Sequence, residues 1–235
     1  MKNLTIIFCL ITNFVFGQNK HIGFLMDDFY SPRWIKDSTN FANKIRELGN
    51  KVSIRVCDSD TALQHKQVKE LLDLGVDVLV IIPENWKAPN VLVTTAHKYN
   101  VPVIAYDRII LNSNVDYYIS FDASEVGEIQ AKFVVDSLHG EGNVILINGP
   151  TSDENANLFR KGQLKILKPY LESGKIKIIH DKQISEWTML EATMETNDFL
   201  STSNIKIDAV IAANDELAEG VLEAFSFTHS EFKLL

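Results

Sequence analysis

Cysteine is nearly absent from this chain: Cys9 and Cys57 are the only two in 235 residues. Cys9 falls in an N-terminal apolar stretch that reads as a removable leader. The mature chain would then keep one thiol and form no internal disulfide. Metal-ligand spacing is missing as well, since the six histidines are scattered and no pair has the separation that a metal site needs. There is no GxGxxG after a strand, no GxxxxGK phosphate loop and no GxSxG elbow, which removes the usual dinucleotide, nucleotide and α/β-hydrolase chemistries. Basic charge is short, with 23 Lys and Arg against 31 Asp and Glu, and a formal net charge of -8 without a basic cluster excludes a nucleic-acid surface. Past the leader no apolar run is long enough to span a bilayer. Nothing in these motifs supports covalent or metal catalysis, and the expectation is a protein without enzyme activity, cofactor or metal.

What is present begins with that leader. Lys2 supplies a short positive region, and Leu4 to Phe16 is apolar apart from Thr5, Thr12 and Asn13. Val15-Phe16-Gly17 resembles a small-residue cleavage site before Gln18. Residues 1–17 therefore read as a secretory signal peptide, which places the mature protein in the periplasm or outside the cell.

The remaining composition, 46% hydrophobic and 23% charged overall, is that of a globular protein. After Gln18 short β-rich runs alternate with amphipathic helices, the signature of βαβ units and a parallel sheet. Strands are expected at His21–Met26, Lys51–Cys57, Val76–Ile82, Val101–Tyr106 and Asp116–Phe121. Helices are expected at Ser31–Leu48, Ala62–Leu74 and Ala88–Tyr99. The rhythm restarts near Phe121 to Ser124, with helices at Ser124–Leu138, Asn155–Glu172, Trp187–Leu200 and Glu216–Phe225. Between them lie strands Asn143–Asn148, Lys175–His180 and Ile207–Ala213. The fold class is α/β: two doubly wound parallel-sheet domains, residues 18–122 and 123–225, meeting at a cleft. The second has fewer strands than the roughly five or more of a complete doubly wound sheet. The tail 226–235, SFTHSEFKLL, carries no strand alternation or turn signal, so the chain reads as truncated relative to a longer parent.

Candidate binding residues collect where strands end. The apolar run to Tyr106 stops abruptly in Asp107-Arg108, and an open α/β sheet binds ligands just outside the carboxyl ends of its strands. Arg33-Trp34 follows the first strand. Asp153 and Asn155 follow strand Asn143–Asn148, Trp187 follows the next, and Asn214-Asp215 ends the last. Flat indole rings cover the C–H faces of a sugar, while Asp, Asn and Arg pair with its hydroxyls. Taken singly each has a plainer reading: core aromatics for Trp34 and Trp187, a helix cap for Asn155, a turn for Asn214. Their shared position points to a polyol site. Asp27-Asp28, adjacent at the end of the first strand, are expected to face opposite ways, so that at most one reaches the cleft.

At these residues the sequence resembles the periplasmic sugar-binding proteins of the ribose/galactose/xylose type, and most of all their xylose branch. The resemblance runs from His21 to Ala224. It is carried by DDFYSPRW (Asp27 to Trp34), GVDVLVIIP (Gly75 to Pro83), AYDR (Ala105 to Arg108), YYISFD (Tyr117 to Asp122), DENANLFRKGQ (Asp153 to Gln163), LKPYLESGKIK (Leu167 to Lys177) and IDAVIAAND (Ile207 to Asp215). It implies a type I periplasmic binding protein fold and a monomer. Such a protein traps a monosaccharide, a pentose and foremost D-xylose, by hinged closure and presents it to a membrane ABC permease. It further implies that Arg33, Asp107 and Arg108 contact the sugar from the first domain, with Trp34 as a wall, and that Asp153, Asn155, Trp187 and Asn214 contact it from the second. The family's chain continues through another strand and further hinge crossings that this sequence does not contain. Other outputs remain open: a sugar sensor feeding a membrane receptor or kinase, or the effector domain of a sugar-responsive repressor. The repressor would carry a helix-turn-helix where this chain has its leader. A flavodoxin-like enzyme is disfavoured by the missing phosphate loop.

Overall fold

The computed structural model describes residues 19–29, 31–85 and 90–228; the expected leader at 1–17 and the tail residues 229–235 lie outside the described residues. The first sheet is built on β1 (His21–Met26), buried along its whole length. It is flanked by β2 (Lys51–Val56) and β3 (Val78–Ile81), and β4 (Val103–Tyr106) and β5 (Tyr117–Ile119) complete the order β2-β1-β3-β4-β5. All four pairings are parallel. A parallel sheet must be covered on both faces, because its crossovers run over them. Successive β1 residues accordingly serve different layers. Phe24 and Met26 pack with Trp34 of α1 (Pro32–Glu47). Leu25 packs with Val68 and Leu71 of α2 (Thr61–Asp73) and with Leu92 and Ala96 of α3 (Asn90–Lys98).

The second sheet repeats the start of the first. Its strands β6 (Gly142–Asn148), β7 (Ile176–Gln183) and β8 (Ala209–Ala212) lie in the order β7-β6-β8, again parallel. On β6, Val144 and Leu146 join the core beneath α4 (Ala123–Ser137) and α5 (Glu154–Glu172). Ile145 and Ile147 join the core beneath α6 (Met189–Thr202) and α7 (Asp215–Thr228). Helices α4 and α5 touch backbone to backbone: a Cβ on Gly127 would lie 2.0 Å from the Phe159 carbonyl oxygen, and one on Gly162 would lie 2.1 Å from that of Ser124.

Both sheets use one device to set strand entry. Asp77, Asp116 and Asp208 each stand just before a strand, and each donates its backbone N–H to a neighbouring strand, at the carbonyls of His21, Val103 and Asn143. Each carboxylate then accepts a backbone N–H in return, from His21 at 2.7 Å, Val103 at 2.8 Å and Asn143 at 2.8 Å. These bonds hold all three carboxyls below their ordinary pKa: His21 N–H leads for Asp77, Val103 N–H for Asp116, and the Lys206 ammonium followed by Asn143 N–H for Asp208.

Three boundaries differ from expectation in instructive ways. β7 runs to Gln183 rather than His180 because it is an outer strand of its sheet, where charged residues such as Asp181 and Lys182 are tolerated. β5 is confined to Tyr117–Ile119, which frees Ser120 and Phe121 from the ladder. Helix α7 continues to Thr228, so the beginning of the presumed tail is helical.

Candidate functional site

A cleft of about 440 Å³ opens between the two sheets. In a 2-1-3-4-5 sheet the strand order reverses between the first and third strands, and ligands settle outside the carboxyl ends there. The loops after β1 and β3 of the first sheet, and after β6 and β8 of the second, all reach this cleft. All eight residues singled out in the sequence, Arg33, Trp34, Asp107, Arg108, Asp153, Asn155, Trp187 and Asn214, line it.

Asp107 sits at the end of β4 with φ +63°, a conformation that non-glycine residues adopt at a cost of about 1–3 kcal/mol. It forms the middle of a tight turn in which Arg108 N–H donates to the Tyr106 carbonyl at 2.7 Å, while its own N–H donates to the Ile119 carbonyl at 2.8 Å. Its carbonyl accepts three further bonds, from Ser120 Oγ at 2.6 Å, Tyr118 Oη at 3.3 Å and Asn155 Nδ2 at 3.1 Å. The strained turn is thus fixed from three directions. Its carboxylate takes Arg33 Nη2 on one oxygen and Asn155 Nδ2, at 3.3 Å, on the other.

Arg108 is buried and spans the cleft. Its Nη1 donates to Asp27 Oδ2 at 2.5 Å and its Nε to Asp153 Oδ2 at 2.9 Å. Burial alone would lower its pKa; Asp153 and Asp27 outweigh that and raise it above the ordinary arginine value. Asp153 is the N-cap of α5 through the Asn155 N–H, and it also accepts Trp187 Nε1–H at 3.0 Å. The cap of that helix is therefore Asp153 and not Asn155. Asn214 lines the cleft while its Oδ1 accepts Leu217 N–H at 2.9 Å at the start of α7.

The walls are aromatic. Trp34 is both core and wall, 7% exposed beneath the Arg33 guanidinium, which lies 4.5 Å from its ring centre and 6.0 Å from that of Phe121. Trp187 meets Phe159 edge-on at 6.4 Å and lies directly over Gly149, where a Cβ would come within 2.3 Å of its ring. Charged forks, carboxylates and amides enclosed by rings form a surface matched to a polyhydroxylated ring.

Asp27 was missed as a site residue, and both Asp27 and Asp28 line the cleft. The expectation that at most one of them reaches it fails because it carried the strand rule of alternating faces past Met26, the last residue of β1, into a bend where that rule does not hold. An acidic residue directly after a buried strand is the same signal that marked Asp107. Phe121, Phe159, Glu186 and Glu216 also line the cleft and carried no sequence signal. Burial, followed by the nearby Glu191 and Asp27, raises the Glu186 carboxyl pKa. Among the described residues no group of His, Cys, Asp and Glu is placed to hold a metal ion, and no helix is long and apolar enough to cross a membrane.

Two parallel sheets whose strand ends converge on one polar, aromatic-walled cleft define the architecture of a type I periplasmic binding protein. The chain matches the periplasmic binding protein domain over residues 22–229 and belongs to that family. It is 40% identical over 230 residues to the D-xylose-binding periplasmic protein of Escherichia coli, covering 96% of this chain and 69% of that protein. To the D-xylose-binding periplasmic protein of Haemophilus influenzae it is 39% identical over 217 residues, covering 90% of this chain and 65% of that one. The chain thus spans about two thirds of the length of these curated relatives. Among solved structures, an ABC transporter solute-binding protein from Clostridium phytofermentans with bound β-D-glucose superposes with a TM-score of 0.83 at 27% identity, covering 91% of this chain and 70% of that one.

Proposed function

We propose that this protein is a periplasmic solute-binding protein that captures a monosaccharide, D-xylose in preference to others, between domains 18–122 and 123–225, and delivers it as a monomer to a membrane ABC importer. The observation that carries the reading is the convergence of Arg33, Trp34, Asp107 and Arg108 from the first sheet and Asp153, Asn155, Trp187 and Asn214 from the second on one cleft. In this reading Arg108 and Asp107 pair with vicinal hydroxyls, Asn155 and Asn214 add amide contacts, and Trp34 and Trp187 cover the sugar faces. A ligand touching both domains has differential affinity for the closed arrangement and so favours it. Support for the pentose comes from the two D-xylose-binding relatives.

Calorimetric titration with D-xylose, D-ribose and D-glucose tests this. Saturable binding, tightest for D-xylose, is expected. Tighter binding of a hexose overturns the pentose assignment, and no heat with any monosaccharide overturns the reading as a whole.

A further inference from the structure

Asp37 lies outside the sugar cleft, yet it grips a residue inside it. One turn along α1 from Arg33, its Oδ2 is 3.6 Å from Arg33 Nε. The far end of the same guanidinium, Nη2, bonds Asp107. Asp37 also accepts the Tyr106 hydroxyl at 3.0 Å. Tyr106 immediately precedes Asp107, so the four side chains close a circuit: Tyr106 to Asp37, Asp37 to Arg33, Arg33 to Asp107, and back along the chain. Helix α1 and the end of β4 are tied together by it.

The circuit matters because burial does not fix Arg33. Its side chain is 47% exposed, and its neighbours Trp34 and Phe121, with ring centres 4.5 and 6.0 Å away, offer ring faces rather than directional bonds. A flexible arginine side chain has rotamer entropy to lose before its fork can read a hydroxyl. A guanidinium bonded only at Nη2 pivots about that contact; the Asp37 carboxylate, 3.6 Å from Nε and so an ion pair beyond hydrogen-bond length, draws the Nε edge to one side electrostatically. Asp37 is 26% exposed and its second contact, to Tyr106, keeps its carboxylate on the Arg33 side of the helix. We infer that Asp37 is a positioning residue for sugar recognition, acting through Arg33 and oriented by the Tyr106 hydroxyl. The inference rests on the cleft being the sugar site.

Three variants test it. Asp37→Asn keeps the shape and an acceptor for Tyr106 while removing the charge; Asp37→Glu keeps the charge; Arg33→Ala removes the residue positioned. Titrated with D-xylose, Asp37→Asn is expected to bind about threefold to fivefold more weakly, the range of a modest, partly exposed ion pair, and Asp37→Glu to recover most of the loss. Added to Arg33→Ala, Asp37→Asn should cost nothing more, the coupling that a double-mutant cycle reads directly. A loss of equal size in the Arg33→Ala background, or none in the wild-type background, overturns the inference. A second measurement needs no sugar: the Arg33 Nε–H resonance should be ordered in the wild type and become mobile in Asp37→Asn. Should the wild type bind no monosaccharide, the reading of the cleft falls, and the Nε–H measurement decides Asp37 alone; unchanged order overturns it.

Discussion

Arg108 and Asp153 meet at 2.9 Å although they belong to different sheets, and both are buried. With Asp27 on its other side at 2.5 Å, Arg108 compensates two carboxylates at once. Arg108→Ala is expected to weaken D-xylose binding by about 2 to 4 kcal/mol, because it leaves buried polar partners unpaired. It should also lower the melting temperature without sugar, since breaking a buried pair strands its charges. Arg108→Lys restores the charge but not the planar fork, and should recover less than half of the affinity. Calorimetry and thermal melts check both; a binding loss below about half a kcal/mol would mark Arg108 as an ion pair without a role in recognition.

Gly149 owes its identity to Trp187. In Gly149→Ala the new methyl would fall 2.3 Å from the indole, so the ring must leave its place and give up the 3.0 Å bond from Nε1 to Asp153. Affinity for D-xylose should fall about tenfold or more, equivalent to about 1.4 kcal/mol, with a change in tryptophan fluorescence. Unchanged emission together with unchanged affinity would show that Trp187 does not wall the bound ligand.

The strand-entry aspartates predict an acid limb. Asp77, Asp116 and Asp208 have folded pKa values below the unfolded one, so the folded state binds fewer protons in that window. Their contribution is fully present above the ordinary carboxylate range and disappears as pH falls through the folded values, below about pH 4. Replacing all three with Asn should flatten stability against pH in that region. Thermal melts from pH 7 to pH 2.5 measure it, and parallel curves for the two proteins would rule these carboxylates out as its source.

Cys57 is buried, and burial followed by the neighbouring Asp27 pushes its thiol up to about 12. The thiolate is the reactive form, so alkylating reagents at about pH 8 should leave it unlabelled in the native protein and label it in denaturant. Rapid labelling without denaturant would mean that the end of β2 opens readily.

Much of this arrangement was legible because the same contrast recurs at each strand end. AYDR passes from a buried strand to two charged residues within one dipeptide, and the structure places both in the cleft. Glycine and proline punctuation bracketed α1 closely: Ser31 caps it, and Pro32 stands in its first turn. Other features carried no local signature. Phe121 and Phe159 look like any core aromatic until β5 is seen to end at Ile119 and α5 to face Trp187. Asp27 was hidden because strand alternation was applied to the Asp27-Asp28 pair although both lie past the strand end at Met26. The bond between Arg108 and Asp153 joins residues 45 positions apart on separate sheets, which no periodicity encodes.

Asp27, Asp107, Asp153 and Asn214 all stand beyond the last ladder residue of their strands, whose final members are Met26, Tyr106, Asn148 and Ala212. Exchanging one of these loop side chains therefore leaves the backbone ladders and their hydrophobic layers intact. One step earlier the situation reverses: Asn148 is fully buried and exchanges two 3.0 Å amide bonds with Gln163, so a change there enters the scaffold itself. A lineage built this way can trade one ligand for another by a few substitutions just past the strand tips, risking a helix cap or a buried ion pair while keeping its strand ladders.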